Sequence, residues 1–327
     1  MTELSHGTTR SFFRRIGWNR ISAALGLLIM TVAIVTLVQL VRDVEIEKII
    51  VTLDAMPLRQ MLLAGALVAS AYVTLTFYDF FALRTIGKTG VPYRIAAFAG
   101  LTSYTVGHNL GATVLTGGVI RYRIYAAWGL GMIDVAKIAF VTGLTFWLGN
   151  AFLLGGGMAY APDAASAVNR LPAWLNRAIG FCGLFIIIGY LGWLIPCRRI
   201  IGRESWRMAL PSFRLTFIQI GIGVADLSLV ALAMYALLPA APAVDFVTLL
   251  LVFITATLLG FLSHAPGSLG VIEAAMLAGL PQFAKAELLA SLLIFRFLYF
   301  VVPLFAAAAA LGLRELWLGF KSRRNEG

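Results

Sequence analysis

The sequence SHAPGSLG, at residues 263–270, interrupts the last hydrophobic segments of the chain with a proline and two glycines. Pro266 lacks a backbone donor, and Gly267 and Gly270 allow dihedral angles that other residues avoid, so a regular helix should break here. We expect a helix to begin again near Ser268. A helix that restarts inside a membrane presents unpaired N–H groups, and transporters use such half-helices to hold anionic substrate groups.

The composition around this stretch is that of a membrane protein. Hydrophobic residues make up 60% of the 327 residues and charged residues only 13%, and the mean hydropathy is +0.89. A soluble domain of this length needs more polar residues to cover its surface. The net charge is +11. In a membrane protein, such an excess of positive charge usually lies in cytoplasmic loops, beside anionic lipid headgroups. Because the basic residues are scattered among hydrophobic spans, nucleic-acid binding is the weaker interpretation.

A spanning helix needs roughly 20 predominantly apolar residues, and hydropathy predicts several of them. They lie near residues 21–41, 60–82, 138–160, 178–196, 215–238, 245–262 and 286–313. Two further apolar stretches, 95–119 and 264–282, are broken by glycine or proline. A signal peptide is the alternative for the basic segment 1–20 and the run after it, but that run is long and lacks a clear cleavage site.

Charge asymmetry indicates how the broken stretches run, because basic residues stay on the cytoplasmic side. The basic regions are segment 1–20, the tail 314–327 and the loop 197–214, whose arginines are Arg198, Arg199, Arg203, Arg207 and Arg214. All three basic regions lie on the cytoplasmic side if 95–119 enters and leaves the membrane on that side and 264–282 completes a crossing as a broken helix. The predicted fold is an all-α polytopic membrane protein with about eight crossings plus one re-entrant or broken element. It forms a single transmembrane domain at 21–313, with both termini cytoplasmic and a hint of an inverted pseudo-repeat.

A second polar stretch, in the first half of the chain, combines glycines with residues that can bind a polar group. Its members are His108, Asn109, Gly111, Gly117, Gly118, Arg121 and Arg123. A Gly-Gly turn exposes backbone N–H groups, and guanidinium groups bind phosphate through two hydrogen bonds. We predict that the two arginines receive a phosphate at the cytoplasmic mouth; an ordinary basic loop is the alternative.

Charges inside a span cost a few kcal/mol each, which makes the acidic residues of the spans candidates for function. Asp79 either pairs across the bundle with an arginine that touches substrate or, as an interfacial residue, with the nearby Arg84. Asp226 lies near the middle of a predicted span without a local partner, so we predict a functional or inter-helix role. Glu273 should face Arg296 in the last span; a kinked helix with a snorkelling Arg296 is the alternative.

Other residue patterns point to structure rather than chemistry. Asp134 and Lys137 have the spacing of a pair at a helix start. Cys182 and Cys197 are too far apart along one helix for a disulfide. Neither the cysteines nor the scattered histidines have metal-ligand spacing, and no GxxxxGK[ST] nucleotide-binding loop occurs. We therefore expect neither a metal nor another cofactor.

Three motifs carry a family resemblance: HNLG at 108–111, TGGVIRYR at 116–123 and SHAPGSLGVIE at 263–273. With them the chain resembles the flippase-type transmembrane domain of the bacterial lysylphosphatidylglycerol synthetase/flippase family, from about residue 20 to 315. The family commonly has Gly-Gly after the proline, and Ser268 departs from that pattern. The resemblance implies that the family's intramembrane polar residues are Asp79, Arg121, Glu273 and Arg296.

The resemblance also implies a function. Members move an aminoacylated or otherwise cationic phospholipid from the inner to the outer leaflet of the bacterial inner membrane, which is linked to antimicrobial peptide resistance. Two-domain members make the lipid in a cytoplasmic acyltransferase domain without counterpart in this sequence. We therefore expect a transporter and not an enzyme, unless the chain is a fragment of a longer protein. The expected substrate-binding residues are Asp79, His108, Asn109, Arg121, Arg123, Asp226, Ser263, His264, Glu273 and Arg296. The expected hinge residues are Gly111, Gly117, Gly118, Pro266, Gly267 and Gly270.

Two other functions stay open at this point. A membrane-embedded lipid enzyme would use His108 or His264 as a base, with Ser263 or Glu273 as its partner. An accessory subunit would serve a separately encoded lipid or hopanoid enzyme. The expected partner is a phospholipid, and the sequence leaves open a homo-oligomer or a separate lipid synthase.

Overall fold

A computed structural model of the chain describes residues 46–110, 113–196, 199–202 and 207–325. The basic segment 1–20, the predicted first span 21–41 and Gly111 lie outside the described residues. The described part is helical apart from connecting turns and two short antiparallel strands, β1 (Ile200–Ile201) and β2 (Met208–Ala209). This confirms the predicted all-α polytopic membrane fold.

The helices are numbered in chain order. They are α1 (Ile46–Ala55), α2 (Leu58–Thr85), α3 (Tyr93–Leu110), α4 (Thr113–Tyr125), α5 (Met132–Tyr160), α6 (Pro162–Asn169), α7 (Ala173–Leu194), α8 (Phe213–Leu237), α9 (Phe246–Ser263), α10 (Val271–Gly279), α11 (Lys285–Arg296) and α12 (Val302–Asn325). Three-residue 3-10 turns lie at Ala126–Trp128 and Pro266–Ser268, and a π-helical turn at Phe297–Val301 joins α11 to α12.

Six helical segments among the described residues are long and apolar enough to cross a membrane. They are α2, α5, α7, α8, α9 and the continuous segment Lys285–Arg314. Each matches a predicted span with ends shifted by a few residues. The largest shift is at α5, which begins at Met132 because Asp134 accepts a hydrogen bond from the backbone N–H of Gly131 (3.2 Å) and caps the helix.

The stretch 95–119 folds into the two helices α3 and α4, which we call the first hairpin. The limbs run antiparallel: a Cβ on Gly117 would lie 3.1 Å from the carbonyl oxygen of Ser103. With 13 residues, α4 is roughly 20 Å long, less than the ~30 Å of a bilayer core. A short limb that turns back along its neighbour is the geometry that a re-entrant element requires.

The helices α9 and α10 form a second hairpin around the SHAPGSLG turn (residues 263–270). A Cβ on Gly279 would lie 2.5 Å from Val252 Cγ1, and one on Gly260 3.3 Å from Ile272 Cγ1, so these limbs are antiparallel as well. Like α4, α10 runs back along its neighbour, and the crossing at 264–282 stays a prediction. With 9 residues, α10 covers roughly 14 Å of that path.

The predicted restart of the helix near Ser268 is wrong by a few residues. Gly267 and Ser268 have left-handed φ angles of 57° and 52°, and Gly270, at φ 79°, is the N-cap of α10. Left-handed residues cannot belong to a right-handed helix, so α10 begins only at Val271.

The second hairpin is part of the packed core of the bundle. The main apolar cluster joins α2, α8, α9, α10 and α11. Helices α5 and α8 approach so closely that a Cβ on Gly149 would lie 2.7 Å from the backbone carbon of Gly223. Such contact between small residues is how membrane helices gain packing energy without a hydrophobic driving force. The 3-10 turn at the tip of the second hairpin packs against α3 of the first.

Candidate functional site

A cavity of about 210 Å³ lies where the two hairpins meet. Helices α2, α3, α5, α8, α9, α10 and α11, the SHAPGSLG turn and the π-helical turn all contribute to its wall. Its polar lining includes Asp226, Tyr78, Tyr104, His108, His264 and Thr257, and its aromatic lining includes Phe146, Phe253, Phe261, Phe295, Tyr299 and Phe300. Asp226 is the acidic residue of this wall. The cavity thus offers one carboxyl group surrounded by aromatic faces.

Asp226 is held between helices by hydroxyl groups. Its side chain is buried, and Tyr78 donates a hydrogen bond to Oδ2 (3.1 Å). The hydroxyl oxygen of Thr74 lies 3.2 Å from Oδ1. Both partners belong to α2, so the predicted inter-helix role is present. No described lysine or arginine forms an ion pair with this carboxyl group.

Asp79 pairs across the bundle with Arg121. Arg121 Nη2 donates to Asp79 Oδ1 (2.8 Å) and Nε to Oδ2 (3.0 Å). Tyr125 adds a hydroxyl donor to the same carboxylate (2.8 Å), and the guanidinium lies 4.8 Å from the ring centre of Tyr104. The alternative partner Arg84 is wrong, because its guanidinium lies over the ring of Phe80 instead.

Arg121 and Arg123 do not form the predicted two-arginine phosphate site. Arg121 is 4% exposed and committed to Asp79, whereas Arg123 is exposed. Residues two apart on a helix point in nearly opposite directions, which separates them. The predicted Gly-Gly turn is also wrong, because Gly117 and Gly118 lie inside α4. Gly117 allows the close approach of the two limbs, whereas Gly118 faces open space.

The predicted pairing of Glu273 with Arg296 is confirmed. Arg296 donates from Nε and from Nη2 (2.8 Å) to the Glu273 carboxylate. It also donates to the carbonyl oxygens of Gly267 (2.7 Å) and Ser268 (3.1 Å). Glu273 in turn accepts from the N–H of Gly270 (2.9 Å), which caps α10. Arg296 therefore balances the charge of Glu273 and also binds the strained backbone of the SHAPGSLG turn.

The remaining predicted site residues divide into two groups. His108 and His264 line the cavity. Asn109 and Ser263 bond the backbone: Asn109 Nδ2 donates to the Phe300 carbonyl oxygen (3.2 Å), and Ser263 Oγ donates to that of Gly260 (2.6 Å). The first contact ties α3 to the π-helical turn and the second ends α9. Both therefore serve the fold.

Two further contacts bear on the predicted roles. His264 Nδ1 lies 2.9 Å from the Leu262 carbonyl oxygen, so the polar partners of His264 and Ser263 are backbone groups rather than each other. Asp134 pairs with Lys88 (3.1 Å) and not with Lys137. Lys88 belongs to the loop between α2 and α3, which therefore lies beside the start of α5.

Comparison with known proteins finds two relatives of this chain. The chain is 32% identical over 273 residues to the uncharacterized protein slr0712 of Synechocystis, across 80% of this chain and 82% of the relative. The chain belongs to the slr0712 family. It is also 26% identical over 299 residues to the inner membrane protein YbhN of Escherichia coli, across 89% of this chain and 91% of the relative. No family model matches the chain.

Sequence reasoning missed the hydroxyl and aromatic partners of the charged residues in this slr0712 family member. Thr74 and Tyr78 bind Asp226, Tyr125 binds Asp79, and Tyr104 lies under Arg121. A weak signal was present for the first two: hydroxyl residues four apart in an apolar span mark one face of a helix. The aromatic partners carry no such signal, because tyrosine is common in spans.

Proposed function

We propose that this member of the slr0712 family moves a phospholipid with a cationic or zwitterionic headgroup from the inner to the outer leaflet of the bacterial inner membrane. The cavity carries the proposal, because it joins one buried carboxyl group to aromatic walls at the meeting point of two broken helical elements. The motif resemblance to flippase-type domains supports the same class of substrate.

The chemistry of the cavity suits an ammonium group. Aromatic faces attract cations, and the attraction grows when water is excluded. Tyr104, Phe261 and Tyr299 supply such faces, and Asp226 supplies the opposite charge. A volume of about 210 Å³ is below the usual range for whole drug-sized ligands, roughly 300–1,000 Å³. It therefore fits a headgroup whose acyl chains remain in the bilayer.

The complementary charge comes from Arg296 of α11, which binds the turn of the second hairpin. Arg296 borders the cavity through the SHAPGSLG turn, and its guanidinium lies 5.4 Å from the ring centre of Phe300, a cavity residue. A phosphate that follows the ammonium group between the hairpins would meet this guanidinium. Both signs along one path favour a lipid that carries both, over a simple anion.

The location and orientation complete the proposal. YbhN is named as an inner membrane protein, and we assign the same membrane to this chain. Arg199 and Arg207, at the short β hairpin, and Arg214, at the start of α8, would lie on the cytoplasmic side together with both termini. Cysteines placed in this loop should react with an impermeant thiol reagent only after the cells are opened.

The test is lipid movement in proteoliposomes. Lysylphosphatidylglycerol, phosphatidylethanolamine and phosphatidylglycerol are incorporated in turn, and the amine-bearing lipids are modified from outside by an impermeant amine reagent. For phosphatidylglycerol, a fluorescent analogue and an impermeant quencher report the outer leaflet. We expect the protein to accelerate exposure of the two amine-bearing lipids most.

Two tryptophan variants sharpen this test. Thr257→Trp fills the cavity, whereas Leu259→Trp changes an exposed residue of the same helix. We expect Thr257→Trp to reduce lipid movement and Leu259→Trp to leave it unchanged. Exposure no faster than in protein-free vesicles would refute the proposal. A change in total lipid composition, measured by chromatography of the same vesicles, would favour an enzyme.

A further inference from the structure

Three acidic side chains are buried in the part of the chain that the structure describes: Asp79, Asp226 and Glu273. Asp79 and Glu273 each bind an arginine. Asp226, at 5% exposure, is bonded only to neutral hydroxyl groups. A buried carboxylate without a counter-charge is costly, and protonation removes that cost. Asp226 therefore differs in kind from the other two acids.

The hydrogen bonds around Asp226 provide for two protonation states. The hydroxyl of Thr74 lies 2.6 Å from the carbonyl oxygen of Ala71 and 3.2 Å from Asp226 Oδ1. A hydroxyl has one hydrogen to donate, so it cannot satisfy both acceptors. While Thr74 donates to Ala71, its oxygen can only accept, and a protonated Asp226 supplies the missing hydrogen from Oδ1. When Asp226 is ionised, Thr74 turns its hydrogen to the carboxylate.

The second carboxylate oxygen works in both states. Tyr78 donates to Oδ2 at 3.1 Å whether or not Oδ1 carries a proton. The carboxyl group thus keeps its position while its charge changes. Because it lines the cavity, the same group faces the space that the headgroup would occupy.

Other titratable groups around the cavity are aromatic or imidazole side chains. Tyr78 lies on α2, Tyr104 and His108 on α3, His264 in the SHAPGSLG turn and Tyr299 in the π-helical turn. The lining from α5 and α9 contains no titratable side chain, and Arg296 on α11 is bound to Glu273. Asp226 is the carboxylic acid of this lining, whereas a tyrosine ionises only at about pH 10 in its ordinary state.

We propose that Asp226 couples outward movement of the cationic headgroup to inward movement of a proton, a role that rests on the lipid translocation proposed above. The ionised carboxylate binds the ammonium group at the side of low proton concentration. A proton that binds Oδ1 at the acidic side neutralises the carboxylate and releases the headgroup. The return of the protonated site and loss of that proton complete the exchange of one proton for one cationic headgroup. The sequence has no GxxxxGK[ST] loop, and the proton gradient is the driving force that this proposal assigns.

The test measures the final leaflet distribution of lysylphosphatidylglycerol in proteoliposomes with and without a pH gradient. Exchange of one proton per lipid predicts about a tenfold shift toward the acidic side for each pH unit, whatever the orientation of the protein. Asp226→Asn imitates the protonated state, because its amide can donate to Thr74. It should abolish the shift. Asp163→Asn, an exposed position in the first turn of α6, should retain it.

The outcomes separate the two proposals. Wild-type protein that equilibrates the lipid without a gradient-driven shift overturns the coupling and leaves the translocation intact. The same shift in Asp226→Asn as in wild type also overturns the coupling. Absence of any lipid movement by folded wild-type protein overturns the translocation itself. Infrared titration supplies a readout without lipid: a protonated carboxyl band should be present in wild type and absent in Asp226→Asn, and an identical band in both overturns the role of Asp226.

Discussion

Each hairpin is bound to a neighbouring helix by one arginine–carboxylate pair, but the arginine and the acid exchange positions between the two hairpins. In the first hairpin the arginine lies on the returning limb α4 and its acid, Asp79, on the neighbouring helix α2. In the second, the acid lies on the returning limb α10 and its arginine, Arg296, on α11. The side chains of Arg121 and Asp79 are 4% and 0% exposed, against 12% and 10% for Arg296 and Glu273.

The difference in exposure indicates a difference in role. The first pair is sealed, and its hydrogen bonds among the described residues join side chains of α2 and α4. The second pair reaches the carbonyl groups of a turn that contains left-handed residues and borders the cavity. Strained backbone of this kind is characteristic of functional sites. We predict that the first pair locks its hairpin in place and that the second pair holds the turn beside the cavity.

The largest effect is expected from loss of the sealed pair. Arg121→Ala leaves the Asp79 carboxylate buried without a counter-charge, and we expect it to lower the free energy of unfolding by about 3–5 kcal/mol. The measurement is denaturant unfolding in detergent micelles. Val119→Ala, an exposed position on the same helix, is the control and should change stability by about 0.5 kcal/mol or less. Equal effects of the two variants would show that the first pair is no lock.

A smaller loss of stability with a larger loss of transport is expected in the second hairpin. Arg296→Ala removes charged hydrogen bonds to Glu273 and the turn, which contribute about 1.5–3 kcal/mol. Arg296→Lys keeps the charge but cannot reach the carboxylate and both carbonyl groups at once. We expect the lysine variant to fold better than the alanine variant and still move lipid slowly. Wild-type transport in Arg296→Lys would mean that the turn needs only a charge.

Alanine substitutions of the glycines between the limbs should distinguish the two hairpins, because a second substitution should rescue only one of them. A Cβ on Gly279 would meet the side chain of Val252 at 2.5 Å, whereas one on Gly117 would meet the backbone of Ser103 at 3.1 Å. Each alanine variant should cost about 1–3 kcal/mol of unfolding free energy. Val252→Ala should rescue Gly279→Ala in the double variant. No rescue there would contradict the antiparallel packing of α9 and α10.

The smallest expected effect is a gain. Ser268 has a φ of 52°, an angle at which a side chain is unfavourable, so Ser268→Gly should stabilise the protein by about 0.5–1 kcal/mol. The gain is limited because glycine also raises the conformational entropy of the unfolded chain. Thermal unfolding of the variant beside wild type measures the gain, and a loss of stability would show that the serine side chain contributes packing that outweighs the strain.

Much of this architecture could be predicted because membrane helices follow local rules. Hydropathy located the six described spans, and the proline and glycines at 263–270 marked the break. The pairing of Glu273 with Arg296 followed from the cost of intramembrane charge. These predictions depend on residue type and spacing, which the chain shows directly.

Other features depend on which face of each helix is turned toward which neighbour, and only packing decides that. Arg121 and Arg123 look alike in sequence, yet one is buried against Asp79 and the other is exposed. The position of Lys88 beside Asp134 follows from the path of a loop. The cavity itself is absent from any local pattern, because its wall joins helices that are distant along the chain.

The central claim is that a lipid headgroup passes through the cavity between the hairpins. The most direct measurement uses lysylphosphatidylglycerol with a photoreactive group on its lysyl moiety, illuminated in proteoliposomes and mapped by mass spectrometry. We predict adducts on cavity residues such as Tyr104, Phe261 and Tyr299, with yields that unlabelled lipid reduces. Adducts confined to exposed outer residues such as Phe185 and Ile186 of α7 would contradict the account.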